Sequence, residues 1–161
     1  MHGSFPRFGG PRGRDVTADP RTERIVVAFE GLSPASLPAL LALYSPEASF
    51  KDPFNDVIGH RAIAVIFEHM FATVDAPRFE VLQTVTQGEH AFLTWDFHFQ
   101  RRPSGLPLCV RGATHLRFDT EGRIVMHRDY WDAAEELYAK LPVLGPVMRW
   151  LQRRLRATAN P

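Results

Sequence analysis

Residues 78–131 have the sequence RFEVLQTVTQGEHAFLTWDFHFQRRPSGLPLCVRGATHLRFDTEGRIVMHRDYW, in which apolar and polar side chains alternate. Successive side chains of a strand point to opposite faces of a sheet, so this period of two predicts strands over 78–86, 90–101, 108–118 and 123–131. Glycine-containing segments at 87–88, 103–105 and 120–122 separate them and fit hairpin turns. The stretch therefore predicts an antiparallel meander of long strands.

The chain before this meander has helical periodicity. Ile25 and Phe29 lie on one apolar face of a helix that starts near residue 22 and is interrupted by Gly31. Ser33 is the predicted N-cap of a second helix that runs to Tyr44, and a third begins at 59–61, after a short strand at 48–51. Helices followed by a meander predict an α+β fold with helices packed on a curved antiparallel sheet.

Composition limits the function classes. The chain has 161 residues, one cysteine (Cys109) and a formal net charge of +1. This charge balance argues against a dedicated nucleic-acid binder, and a single cysteine excludes an internal disulfide framework. The longest apolar run, 62–67, is far shorter than a bilayer span, and the first residues lack the apolar stretch of a signal peptide. We expect a single-domain cytoplasmic protein.

Three segments are predicted along the chain. Residues 1–20 are rich in Gly, Pro and Arg, a composition that predicts a flexible tail. Residues 21–141 are predicted to form the folded domain. Residues 142–161 predict a basic amphipathic helix with Trp150 and Leu151 on its apolar side. Such a helix can pack as a lid or against a partner, and contact with an anionic membrane surface is the less common alternative.

Strand parity predicts which side chains face the core. Trp95, Phe97 and Phe99 share one face of their strand, and Val110 and Thr114 lie on the corresponding face of the next. The last strand is ambiguous, because the set 125, 127, 129 and 131 competes with the set 124, 126, 128 and 130.

Several short motifs carry a family resemblance: 44-YSPEASFKDPF-54, Gly-His-Arg at 59–61, Arg-Phe-Asp at 117–119, Gly-Arg-Ile at 122–124 and Tyr-Trp at 130–131. In this order they resemble the nuclear-transport-factor-2-like superfamily, and within it the SnoaL-like and ketosteroid-isomerase-like branch. The resemblance implies a cone: three N-terminal helices over a strongly curved antiparallel or mixed sheet, with an apolar pocket for a small molecule. The C-terminal helix is additional. The resemblance also implies a homodimer formed through the outer face of the sheet.

The resemblance further implies where chemistry would occur. Asp52, in the Asp-Pro-Phe motif, corresponds to the proton-transferring carboxylate of the isomerases, and Trp131 would look into the cavity. Parity then places His127 and Asp129 inside with it, so the candidate catalytic residues are Asp52, His127 and Asp129. The candidate ligand-binding residues are Phe29, Tyr44, Phe54, Trp95, Phe97, Phe99, Val110, Thr114 and Trp131. This set favours cofactor-independent isomerase-like or cyclase-like proton transfer.

Two departures argue against authentic steroid isomerisation. The positions of the oxyanion-hole tyrosine and aspartic acid fall on Ala28 or Phe29 and on Thr114. An enolate would therefore lack both family donors, and losing one typically costs about 100-fold or more in rate. The alternative function is a ligand-binding or dimeric assembly module that performs no chemistry.

Structural alternatives apply to each polar candidate. Asp52 precedes a proline and could be a turn residue, and His127 with Asp129 could be a satisfied hydrogen-bonded pair. Epoxide hydrolysis by an Asp–Arg–Asp relay is weaker, because Arg111 is predicted to point outward. Asp132 is a predicted helix N-cap. No cofactor is expected, and no metal, since His127 and Asp129 lack a third inward ligand unless Asp52 reaches across.

Overall fold

A computed structural model describes residues 19–133. Its elements are α1 (Pro20–Glu30), α2 (Leu37–Leu41), β1 (Tyr44–Lys51), β2 (Asp56–Ile58), α3 (His60–Thr73), β3 (Val74–Gln87), β4 (His90–Arg101), β5 (Leu106–Phe118) and β6 (Ile124–Tyr130). The six strands form one sheet in the order β2-β1-β6-β5-β4-β3. β1 and β6 are parallel and all other pairs are antiparallel, so the sheet is mixed. The predicted α+β class is confirmed.

Register shifts curve the sheet. Pairing between β3 and β4 shifts at 75/78 and again at 81/83, and pairing of β1 with β6 shifts between Tyr44 and Ser49. One extra residue lies on β3 at each of its two shifts and three lie on β1, and such insertions bend a strand and increase its local twist. The curvature creates the concave face on which the helices pack.

The core lies between that concave face and the helices. α1 begins two residues before the predicted start, because Asp19 caps it by accepting the backbone N–H of Arg21 and Pro20 fits its first position. Ile25 and Phe29 of α1 and Ile63 of α3 are buried against the sheet. Within residues 19–133, no helix is long and apolar enough to cross a membrane.

The second helix differs from the prediction. It spans only Leu37–Leu41, its N-cap is Ser36 and not Ser33, and Tyr44 already belongs to β1. Ser33 instead forms a turn with Ser36, whose hydroxyl accepts the backbone N–H of Ser33. Pro46, predicted to lie just beyond the helix, is part of β1 at the shifted register, where its missing N–H removes no ladder bond.

The predicted inward faces of β4 and β5 are confirmed. Trp95, Phe99, Val110 and Thr114 are buried, whereas Thr94 and Arg111 on the opposite face are exposed. Gly112 lies opposite Trp95 in the register of β4 and β5. A Cβ at Gly112 would overlap the six-membered ring of Trp95. The absence of a side chain at 112 therefore lets the indole lie flat across β5.

We predict that Gly112→Ala lowers the free energy of unfolding by about 1–3 kcal/mol, the usual cost of overpacking a core. Urea denaturation monitored by circular dichroism measures it. In a Trp95→Phe background the smaller ring leaves room for the methyl group, so the same substitution should cost less. An equal cost in both backgrounds would show that contact with Trp95 is not the cause.

The remaining predicted segments concern the ends of the chain. The predicted tail, the helix that Asp132 would cap, and the C-terminal basic amphipathic helix all lie mostly or wholly outside the described residues.

Candidate functional site

The register of β5 and β6 decides the orientation of the last strand. Leu116 is opposite His127, and Thr114 is opposite Asp129. Since Leu116 and Thr114 face the core, His127 and Asp129 face it too. Of the alternative set, Arg128 and Tyr130 are exposed on the outer face, whereas Ile124 is buried in the core because the pairing of β5 with β6 shifts between Arg117 and Phe118.

Four hydrogen bonds link the polar side chains of this inner face. Tyr44 Oη is 2.7 Å from His127 Nδ1, and His127 Nε2 is 2.8 Å from Asp129 Oδ1. Thr114 Oγ1 donates to the same carboxylate oxygen at 2.5 Å, and Trp95 Nε1 donates to Thr114 Oγ1 at 2.8 Å. We call these five residues the Asp129 network. These bonds connect β4, β5 and β6 to the start of β1, and the Asp129 carboxylate lies at their centre.

The donors and acceptors assign the protons. Burial, and secondarily the negative charge of Asp129, raises the pKa of Tyr44 well above its ordinary value of 10.0. The phenol therefore keeps its proton and donates it to His127 Nδ1, which leaves Nε2–H to donate to Asp129. In this arrangement every polar group of the network is satisfied, which agrees with the absence of unpaired buried side-chain atoms among residues 19–133.

Aromatic rings enclose the imidazole of His127. The rings of Phe50, Phe29 and Tyr44 have centroids 4.5, 5.8 and 6.0 Å from that of His127. The His127 side chain is only 1% exposed, whereas that of Asp129 is 17% exposed. Asp129 is thus the point at which a buried polar chain reaches solvent.

Two spaces meet at Asp129. The first, the inner cavity, has a volume of about 30 Å³, the share of one water molecule in the liquid. It is lined by Phe29, Phe67, Phe79, Val81, Leu93, Trp95, Thr114, His127 and Asp129. The second, the outer groove, is open and has a volume of about 580 Å³. It is lined by Lys51, Asp52, Pro53, Arg128, Asp129, Tyr130, Trp131 and Asp132.

The inner cavity is too small, and the outer groove large enough, to hold a small organic molecule. The inner cavity admits no organic ligand unless its apolar walls move, whereas the outer groove has the volume of ordinary small-molecule sites, about 300–1,000 Å³. A ligand in the groove can reach Asp129 without displacing core side chains. Asp129 therefore lies at the boundary between the buried network and the open groove.

Asp52 lies in the groove but is held by its own turn. Its Oδ1 accepts the backbone N–H groups of Phe54 and Asn55 at 2.7 and 2.6 Å, and both carboxylate oxygens contact the Asn55 amide. This is the local hydrogen bonding expected of an aspartate at a turn. Asp52 does not line the inner cavity and has no hydrogen bond to His127 or Asp129 among the described residues.

The other predicted ligand-binding residues fall into two groups. Tyr44, Trp95 and Thr114 belong to the Asp129 network, and the ring of Phe29 packs against its imidazole. The remainder lie outside the inner cavity: Phe97, Phe99 and Val110 pack in a neighbouring cluster with Trp95, and Phe54 is exposed at the groove with its ring edge on Trp131, 5.3 Å between centroids. Sequence reasoning missed Phe50 and Phe79, although both carry the signal of inward positions in strands with a period of two.

We predict that Tyr44→Phe removes an alkaline loss of stability. Above pH 10 a tyrosine in the unfolded chain releases its proton while buried Tyr44 keeps its own, so stability is fully present below pH 10 and falls as the pH rises, by up to about 1.4 kcal/mol per pH unit. The variant should lose this dependence. At pH 7 it should be about 1–3 kcal/mol less stable than the wild type, because His127 Nδ1 is left unpaired.

Urea unfolding at pH 7, 10 and 11 tests this expectation. Tyr130→Phe is the matched control: Tyr130 is half exposed, so that variant should keep the wild-type slope. A Tyr44→Phe slope as steep as that of the wild type between pH 10 and 11 would contradict the assignment.

Comparisons with known proteins agree with this architecture. A protein of ketosteroid-isomerase-like fold from Catenulispora acidiphila, solved in complex with trimethylamine, superposes with a TM-score of 0.65 at 19% identity over 75% of this chain and 92% of that one. A SnoaL-like candidate polyketide cyclase from Shewanella putrefaciens gives 0.63 at 17% identity over 74% and 97%. TerC, co-crystallised with polyporic acid, gives 0.64 at 14% identity over 73% and 95%.

Because the sequence identities are below 20%, these similarities establish the fold and nothing more. No curated protein matches the chain. The family model of the SnoaL-like domain matches residues 26–127, which is more than half of the 161 residues and includes β6 as far as His127. The chain therefore belongs to the SnoaL-like family.

Proposed function

We propose that the protein binds a small, largely apolar carbonyl compound in the outer groove and that Asp129, supported by His127, moves a proton on it. The observation that carries the proposal is the position of Asp129, whose carboxylate is anchored in a buried network, whose side chain is 17% exposed, and which lines the open groove. A carboxylate held in position by hydrogen bonds is a suitable general base.

The two oxygens of Asp129 have different tasks in this mechanism. Oδ1 accepts from both Thr114 and His127 and is held in place. Oδ2 is then the atom that removes a proton from the carbon beside the carbonyl group. The same proton returns to another atom of the molecule, so the reaction is an isomerisation or ring closure that consumes no cofactor. His127 and Tyr44 stabilise the charge of the carboxylate as the proton comes and goes.

The enolate oxygen needs a donor, and the family positions do not supply one. Phe29 has no polar group, and Thr114 already donates to Asp129. The groove offers Tyr130 and Arg128, whose guanidinium lies 4.9 Å from the centre of the Tyr130 ring. We assign the oxyanion to these two residues, at the side of the groove opposite the core.

Asp52 is the competing base. Its turn engages both carboxylate oxygens, whereas Asp129 has its hydrogen bonds on Oδ1. The geometry therefore favours Asp129 as the base and Asp52 as a residue that shapes the groove rim. Relatives in fold support binding of a small organic ligand: one is described as a candidate polyketide cyclase, and another was crystallised with polyporic acid.

We predict that the protein accelerates deuterium exchange at the carbon next to the carbonyl of 2-tetralone, a bicyclic ketone, in D₂O. Asp129→Asn should reduce the exchange rate by about 100-fold or more, because the amide keeps the shape of the carboxylate but cannot take a proton. Asp52→Asn should stay within a few-fold of the wild type. Proton NMR of the ketone follows the exchange.

The two variants are matched controls, since each removes one negative charge from the same groove. Loss of exchange in Asp52→Asn with retention in Asp129→Asn would reverse the assignment. Binding of the ketone without any exchange by the wild type, seen as quenching of tryptophan fluorescence, would favour the non-catalytic ligand-binding module.

We also propose that the protein is a homodimer that pairs through the outer face of the sheet. Val85, Phe92 and His115 form a row across β3, β4 and β5 on that face. Phe92 is 51% exposed and its ring stacks on His115 at 4.3 Å. Large exposed apolar side chains grouped on the outer face of a sheet are typical of a surface that pairs with a partner.

Light scattering coupled to gel filtration tests the dimer. The wild type should have the mass of two chains, and Phe92→Glu should have the mass of one. Val27→Glu, which adds the same charge at an exposed position of α1, should remain dimeric. A wild type with the mass of one chain at every concentration would refute the dimer.

A further inference from the structure

Three different metal-binding side chains meet on the outer face of the sheet. His98 lies directly opposite Cys109 in the register of β4 and β5, and Asp96 is two residues before His98 on the same face. One potential ligand atom from each of Asp96, His98 and Cys109 lies within 4.8 Å of the others. All three are partly buried in rigid strands. We propose that Asp96, His98 and Cys109 form a binding site for one Zn²⁺ ion.

The ligand chemistry selects the metal. Zinc binds thiolate sulfur at about 2.3 Å and imidazole nitrogen or carboxylate oxygen at about 2.0–2.2 Å in tetrahedral geometry, so two ligand atoms of one ion lie about 3.3–3.7 Å apart. The three atoms lie within 4.8 Å of one another, so each pair needs to approach by at most about 1.5 Å to reach that spacing. A sulfur, a nitrogen and an oxygen donor together favour zinc over magnesium or calcium, which bind oxygen ligands.

A fourth oxygen lies beside the cluster. Glu80 of β3 is opposite Asp96, and its Oε2 is 3.8 Å from His98 Nε2. Glu80 is therefore placed to complete a tetrahedral site that joins three adjacent strands. The metal would lie near the end of the sheet at which β4 turns into β5.

Two arginines balance the acidic charge when no metal is bound. Arg111 Nε is 3.9 Å from Asp96 Oδ1, and Arg78 Nη1 is 3.4 Å from Glu80 Oε2. Both arginine side chains are mostly exposed, so they can move into solvent when a cation replaces them. The ion pairs are thus compatible with metal entry.

Sequence spacing did not reveal this site. The expectation of no metal considered inward residues, whereas these three point away from the core. The relevant signal is the hairpin pairing: Asp96 and His98 alternate on one strand, and the register brings the single cysteine opposite His98. The site shares no residue with the Asp129 network, so it does not depend on the proposed function.

Cobalt reports on the site directly. The full-length reduced protein, kept free of oxygen, is titrated with Co²⁺ and then with Zn²⁺. We expect one Co²⁺ per chain, a near-ultraviolet sulfur-to-cobalt charge-transfer band, and loss of that band when Zn²⁺ displaces the cobalt. Cys109→Ser should abolish the band, and His98→Gln should weaken Co²⁺ binding by about tenfold or more.

His115→Gln is the matched control. His115 Nε2 is 2.9 Å from His90 Nδ1 on the same outer face, so this pair is the obvious competing site. The control should keep the band and the affinity of the wild type. Absence of a band in the wild type, or equal loss of binding in His98→Gln and His115→Gln, would overturn the proposal. Half an ion per chain would overturn it too, because the site would then be shared between two copies.

A measurement on the wild type keeps the test valid if a variant fails to fold. Cys109 is the chain's single cysteine, so alkylation by iodoacetamide reports on that thiol alone. Zn²⁺ at saturating concentration should slow the alkylation at least tenfold, and Mg²⁺ at the same concentration should not. An unchanged rate with Zn²⁺ would refute cysteine ligation.

Discussion

The hydrogen bond between Tyr44 and His127 connects β1 to β6, the first and last strands of residues 19–133, and the polar interior depends on it. Both side chains are buried among aromatic rings, so each would leave a polar atom without water if the other were removed. The parallel pairing of β1 with β6 makes the contact possible. It is the only pairing in the described sheet between two strands that do not follow each other in the sequence. From His127 the chain of bonds continues to Asp129 and the groove.

This construction explains how a charged group can stand at the edge of an apolar core. Asp129 accepts two short hydrogen bonds from groups that are themselves anchored, and the indole of Trp95 holds the Thr114 hydroxyl that provides one of them. Gly112 leaves the space in which that indole lies. Packing and polar satisfaction are therefore coupled: the position of the carboxylate depends on a residue without a side chain on the neighbouring strand.

The two faces of the sheet carry separate chemistry. The inner face gathers Tyr44, Thr114, His127 and Asp129 into a network that is closed except at the groove. The outer face carries the exposed row through Phe92 and the cluster of Asp96, His98 and Cys109. Because the side chains of each strand alternate, β4 supplies Trp95 to one face and Asp96 to the other. The proposed proton-transfer site and the proposed metal site therefore do not compete for space.

The sequence by itself determined the α+β class, the four long strands and the inward faces of β4 and β5, because alternation is a local pattern that burial on one face imposes. It also contained the motifs that resemble the SnoaL-like family. It did not decide between the two faces of β6, and it joined Asp52 to the catalytic candidates although the turn of Phe54 and Asn55 occupies that carboxylate. Only the tertiary structure decided which polar groups meet, because Tyr44 and His127 are 83 residues apart and strand register, not periodicity, brings them into contact.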